Sequence, residues 1–209
     1  MDIIFDNRRK ELRKTERRRK LAKAVRVLTL PPFAALGLVL ALRAGVPGFF
    51  AGWAEAAVCI FCLTLLPFSA YPLQPAFPAF RHRGRAGQRA LAIWMSNAGY
   101  VLGAGAVFLM GAGAGVKLMM LTYLFSGALM LFFNRALDIR ASGHACGVAG
   151  PVAMLLLCLG GQAWLGMAVL AAVYWASLSM DRHKLTELLW GSAIPLAAMA
   201  AANGVIGCF

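Results

Sequence analysis

Two histidines stand among charged residues at the edges of apolar stretches, in Arg140-Ala141-Ser142-Gly143-His144 and in Asp181-Arg182-His183-Lys184-Leu185-Thr186-Glu187. Neutral imidazole is a competent nucleophile near pH 7, and a carboxylate bonded to its second nitrogen fixes the tautomer and stabilises the charged form. His183 and Glu187 are spaced i and i+4, which places both on one face of a helix starting near 183. His144 opens a different apolar stretch, where an imidazole can protonate a leaving oxygen. Fixed positive charge is available from Arg135, Arg140 and Arg182, and from Arg85 and Arg89 in the cluster 81–89. Ser142 and Gly143 suit a helix start, where a serine oxygen caps and free amides cradle an anion. A nucleophile, a general acid and fixed cations are what phosphoryl transfer needs in the absence of metal. The expected site has His183, His144 and Glu187 as catalytic residues. Arg140, Ser142, Gly143, Arg182, Arg135, Arg85 and Arg89 are expected to bind substrate, with no metal and no organic cofactor.

These residues must be positioned by helices in a membrane. The chain of 209 residues is 61% hydrophobic and 14% charged, with a mean hydropathy of +0.71, which marks an all-α, polytopic transmembrane bundle. Apolar stretches run over 27–45, 49–73, 90–110, 116–133, 145–160, 163–180 and 185–208. About 20 residues cross a membrane, so about seven spans are expected, with six the alternative if one segment only dips in. The fifth and sixth would be too long for one crossing if fused, and Gly160-Gly161-Gln162 is a plausible hairpin between them.

The net charge of +13 follows topology rather than nucleic acid. With the N-terminus in the cytoplasm, the inside segments 1–26, 74–89, 134–144 and 181–184 hold 19 of the 21 lysines and arginines, leaving Arg43 and Lys117 outside. Both histidine motifs then face the cytoplasm. Residues 1–26 form a basic cytoplasmic arm, suited to topology and to anionic lipids, and 27–209 the transmembrane domain. Cys59 and Cys62 form a CxxC inside a span, which suits soft packing. Glu55 lies near the outer end, far from the histidines, and Asn97 suits a bond between helices.

At these residues the chain resembles the type 2 phosphatidic acid phosphatase superfamily. Ser142-Gly143-His144 is similar to its second signature, Pro-Ser-Gly-His, and Tyr174 to Gly191 is similar to its third: Ser-Arg, five residues, His, three residues, Asp. The resemblance implies that His183 is the nucleophile, Glu187 its supporting acid and His144 the general acid. The run from Asn134 to Gly147 also resembles a short bacterial branch with a Lys-Ile-Ser-x-His-Ala run, in which Arg140 takes the place of the lysine. The chain departs from the family pattern at Ala141, Ala176 and Ser177, where the family has proline, serine and a phosphate-binding arginine. The last acid is Glu187 rather than Asp, and the first signature, Lys, six residues, Arg-Pro, has no match.

The resemblance implies an integral membrane lipid phosphatase, expected in a bacterial inner membrane with its site facing the cytoplasm. It would act on a phosphate monoester or diphosphate of a phospholipid or polyprenyl lipid through a phosphohistidine. Its partners would be membrane lipids with anionic phosphate headgroups, and not nucleic acid. Two other readings stay open: a non-catalytic relative that binds lipid phosphate or a protein partner, and a transporter of lipid-linked anions.

Overall fold

In a computed structural model of the chain, residues 2–207 are described, with side chains over 15–207. Those residues form helices and connecting turns, without a strand. Helix α1 covers Asp2–Leu28 and α2 Pro31–Gly45. Pro31 and Pro32 have no amide to extend the preceding helix but suit the first turn of a new one, so the chain bends by 54° between α1 and α2. The boundary expected at 26/27 therefore falls inside one helix. α1 packs against a helix late in the chain, Trp164–Ser179, and its Ala22 is fully buried.

The next rod is composite. Helix α3 (Trp53–Ile60) passes through a π-helical turn, Phe61–Leu65, into α4 (Leu66–Leu73). π-Helix is rare and occurs mostly as such single turns inside α-helical rods. Here the neighbouring rod meets it closely, because a Cβ on Gly99 would sit 2.1 Å from the carbonyl oxygen of Cys62. Cys59 and Cys62 are buried free thiols, as expected of packing residues. After a short helix α5 (Pro78–Arg81) come α6 (Gly84–Leu109), α7 (Ala114–Arg135) and α8 (Gly143–Leu159). Helices α9 (Trp164–Ser179) and α10 (Leu185–Ile206) complete the bundle.

By length and composition five helical stretches can cross a membrane, or six if the bent pair α1–α2 counts as one. That count takes 143–179 as one stretch of 37 residues. In space it is a hairpin. Gly160 has φ +59°, a Cβ on Gly166 would lie 3.1 Å from Val152, and Val148, Val152 and Val173 pack into one cluster. The two arms are 17 and 16 residues long, each about 25 Å at 1.5 Å per residue. Seven expected crossings thus become five or six by this criterion. The two arms, joined by helical turns without a break, count once, and the first stretch counts only together with the end of α1, because α2 alone has 15 residues.

Chain direction then follows. Pro31 lies beside Gly147 and Gly45 beside Leu159, so α2 and α8 run parallel. The starts of α2, α8 and α10 and the ends of α1, α7 and α9 share one end of the bundle. Most of the apolar core lies toward the other end, where Leu38, Leu42, Val107, Val116, Met119 and Met120 are buried together.

Candidate active site

Tight turns deliver the two histidines. Asp181, at φ 50°, occupies the left-handed position after α9, and the amide of Arg182 bonds the Ser177 carbonyl at 3.1 Å. That bond closes the helix in the manner of a Schellman cap, with aspartate standing where glycine is usual. The chain then enters α10, with Glu187 in its first turn. Glu187 Oε2 lies 2.7 Å from His183 Nδ1 and also accepts the Lys184 amide at 3.4 Å. With the carboxylate on Nδ1, the lone pair of His183 is on Nε2. Glu187 thus sits at the positive end of α10, where its charge is favourable.

The start of α8 is fastened to the start of α10. The Ser142 amide donates to the Glu187 carbonyl at 2.9 Å, and Ser142 Oγ accepts the Ala145 amide at 3.3 Å. Ser142 is fully buried in this capping role, and its side chain is turned away from the cavity on which His144 and His183 open. Gly191 makes the approach feasible: a Cβ there would meet the Ser142 carbonyl oxygen at 2.4 Å. Gly143 and His144 follow the cap, at the position where helix geometry leaves amides without a carbonyl of their own.

His144 Nε2 lies 3.0 Å from Thr29 Oγ1, and that hydroxyl donates its proton to the Val25 carbonyl at 2.7 Å. Thr29 can then only accept from the imidazole, so His144 carries hydrogen on Nε2, and Nδ1 is the nitrogen that gains or loses a proton. Both contacts come from the bend between α1 and α2.

His144 and His183 open on one cavity of about 860 Å³. Its mouth is lined by Arg26, Arg89, Arg135, Arg140 and Arg182, with Asp181 as the one carboxylate. Among the described residues none of these arginines has an ion pair within 4 Å, although Arg140 lies close enough to Glu187 to act on its charge. Along α7 the wall runs from Arg135 back to Met119, about 24 Å of helix at 1.5 Å per residue. The interior mixes apolar side chains with Ser96, Asn97, Tyr100, Thr122, Tyr123 and Ser126, and among the described residues the hydroxyls of Tyr123 and Ser126 are buried without a hydrogen-bond partner.

Of the expected substrate-binding residues, Arg89, Arg135, Arg140, Gly143 and Arg182 line this cavity. Arg85 does not. It sits in the exposed first turn of α6, one turn further out than Arg89. Ser142 and Glu187 stand behind the wall and hold His144 and His183 in place. Glu55 accepts the Ala51 amide at 2.9 Å, on a rod whose opposite end carries the site. Asn97 lines the cavity and bonds the Ile93 carbonyl on its own helix, not a neighbouring one. No cluster of metal ligands occurs among the described residues.

No protein-family model, curated protein or solved structure matches the chain. The site is therefore read from its own geometry.

Two wall contacts escaped the sequence. Arg26 appeared as the last cation of a basic arm, yet its Nη1 donates to Ser177 Oγ at 2.7 Å across the end of α9. Thr29 appeared as an uncharged residue within the first apolar stretch. The Pro31-Pro32 pair was the one available signal, since a forced bend turns the preceding helical end toward the bundle.

Proposed function

We propose that this protein hydrolyses a phosphate ester or diphosphate of a membrane lipid through a phosphohistidine at His183. The observation that carries the reading is the cavity itself. One end brings a free imidazole nitrogen, a second histidine and five arginines together, and the other extends through an apolar bundle. A soluble phosphate has no use for such depth, whereas a lipid fills it with its tail and leaves the phosphoryl group at the arginines.

In the first step His183 Nε2 attacks phosphorus, the bond from phosphorus to the leaving oxygen breaks, and that oxygen takes the electron pair together with a proton from His144 Nδ1. Glu187, on Nδ1 of His183, stabilises the positive charge that develops on the ring. The arginines and the amides at the start of α8 hold the equatorial oxygens, where charge builds up in the transition state. In the second step His144 takes a proton from water, the water oxygen attacks phosphorus, and the bond from phosphorus to Nε2 breaks to release inorganic phosphate. The positive-inside distribution of lysine and arginine supports a cytoplasmic mouth.

A second reading is binding of lipid phosphate without hydrolysis, favoured by Ser177 at the position where the resemblance implies an arginine. Phosphate release from dioleoyl phosphatidic acid and from farnesyl diphosphate, measured beside His183→Ala, separates the two. Release that disappears in the variant supports hydrolysis. No release from either lipid, with phosphatidic acid still bound, supports the second reading.

A further inference from the structure

We infer that Arg26, on the helix before the first apolar stretch, binds the phosphoryl group of the substrate, with Ser177 as the residue that positions it. The inference rests on the proposed lipid-phosphate site and names one of its ligands.

Arg26 is half-buried in the cavity wall that also holds His144 and His183. A half-buried cation without a counter-charge is costly unless an anion joins it. Its electrostatic neighbours make this worse, because Arg182 and Arg89 both repel it. Among the described residues no carboxylate lies within 4 Å to offset them. A site with this balance is incomplete until a multiply charged anion enters.

The geometry also shows why an arginine is held there. Ser177 is fully buried, and its hydroxyl takes one donor of the guanidinium at 2.7 Å. A guanidinium has five N–H donors in a planar fork that matches phosphate oxygens, so four are left. Three residues further on, the Thr29 hydroxyl accepts a hydrogen bond from His144 Nε2 while donating to the carbonyl of Val25, the neighbour of Arg26. One turn at the end of α1 therefore contacts both the proposed general acid and an anion-binding cation. A short side chain at 177 leaves the room that Arg26 reaches into. An arginine on α9 at that position would start from the spot Arg26 now touches.

The test uses the full-length protein with Arg26→Gln, Ser177→Arg and the double variant. Glutamine keeps a side-chain N–H for Ser177 and removes the charge. Phosphate release is measured from dioleoyl phosphatidic acid and farnesyl diphosphate, and melting temperature is measured in the same detergent. Arg26→Gln is expected to lower release about 100-fold, in the range for losing one transition-state donor. Adding Ser177→Arg is expected to recover at least about tenfold. The inference is overturned if folded Arg26→Gln stays within about threefold of wild type, or if the double variant is no better than the single one. Should Arg26→Gln fail to fold, the double variant alone decides, since it restores the cation from α9. If wild type releases no phosphate, hydrolysis fails as a reading and the ligand role of Arg26 is decided by binding. Vesicles containing phosphatidic acid would then bind more weakly to Arg26→Gln, and equal binding would overturn the inference.

Discussion

The two ends of the bundle treat charge in opposite ways. At the end away from the histidines, cations rest on aromatic faces. Arg43 lies 5.0 Å from the centre of the Trp53 ring and Lys117 lies 5.3 Å from that of Phe108. Glu55 is buried, yet one carboxylate oxygen accepts a backbone amide. At the histidine end five arginines line a cavity without an ion pair among the described residues. The far cations are spread singly over aromatic rings, whereas at the histidine end five guanidinium groups share one cavity. Packing differs in the same sense, with the largest buried cluster lying away from the cavity mouth.

The contrast can be broken first at its strongest point. His183→Ala is expected to abolish phosphate release, by about 10⁴-fold or more as for other nucleophile losses, with an unchanged melting temperature. Turnover retained in that variant would remove the mechanism. His144→Ala comes next, with a loss of about 10²–10⁴-fold, the usual range for a general acid. A single-turnover assay that still traps phosphate on His183 from a diphosphate substrate would assign the loss to His144.

Gly191→Ala tests the link between the starts of α8 and α10. Its Cβ would press on the Ser142 carbonyl, displacing His144 relative to His183. A shift of about 1 Å costs on the order of 100-fold in rate, and a lower melting temperature should accompany it. Unchanged kinetics would show that the two helix starts tolerate separation.

The smallest effects sharpen the comparison. Lys117→Gln, at the far end, should change phosphate release by less than about twofold and stability by no more than about 1 kcal/mol, the scale of an exposed cation–π contact. A large kinetic effect there would erase the distinction between the ends. Tyr123→Phe removes a buried hydroxyl that has no partner among the described residues, and such a change is nearly neutral or slightly stabilising. A clear loss of lipid affinity in that variant would instead show that the hydroxyl meets the substrate within the cavity.

Much of the architecture was legible in the chain because apolar run length and the placement of lysine and arginine reflect local physics. A helix must satisfy its own backbone in a membrane, and its length follows. The hairpin at Gly160 was legible for the same reason: two glycines in an apolar run too long for one crossing. The pairing of His183 with Glu187 is present at 2.7 Å, though not through a helix from 183. α10 begins at Leu185 with Lys184 as its extended N-cap, so His183 precedes the helix and Glu187 in its first turn reaches back to it. The seven crossings were less secure, since helical turns at 160–163 join the two arms without a break.

Other features depended on neighbours far apart in the chain. Arg85 and Arg89 look alike in sequence, but only Arg89, one turn further along α6, lines the cavity. Ser142 was expected to meet substrate and instead ties α8 to α10, a role set by Gly191 on another helix. By itself the sequence determined that apolar helices carry two histidines, an acid and a set of arginines at their ends, because spacing and hydropathy act within one segment. Only the tertiary structure decided which cations share a cavity, and that Arg26 meets Ser177 across 151 positions. Burial and bend angle set those contacts, and both are properties of the packed bundle.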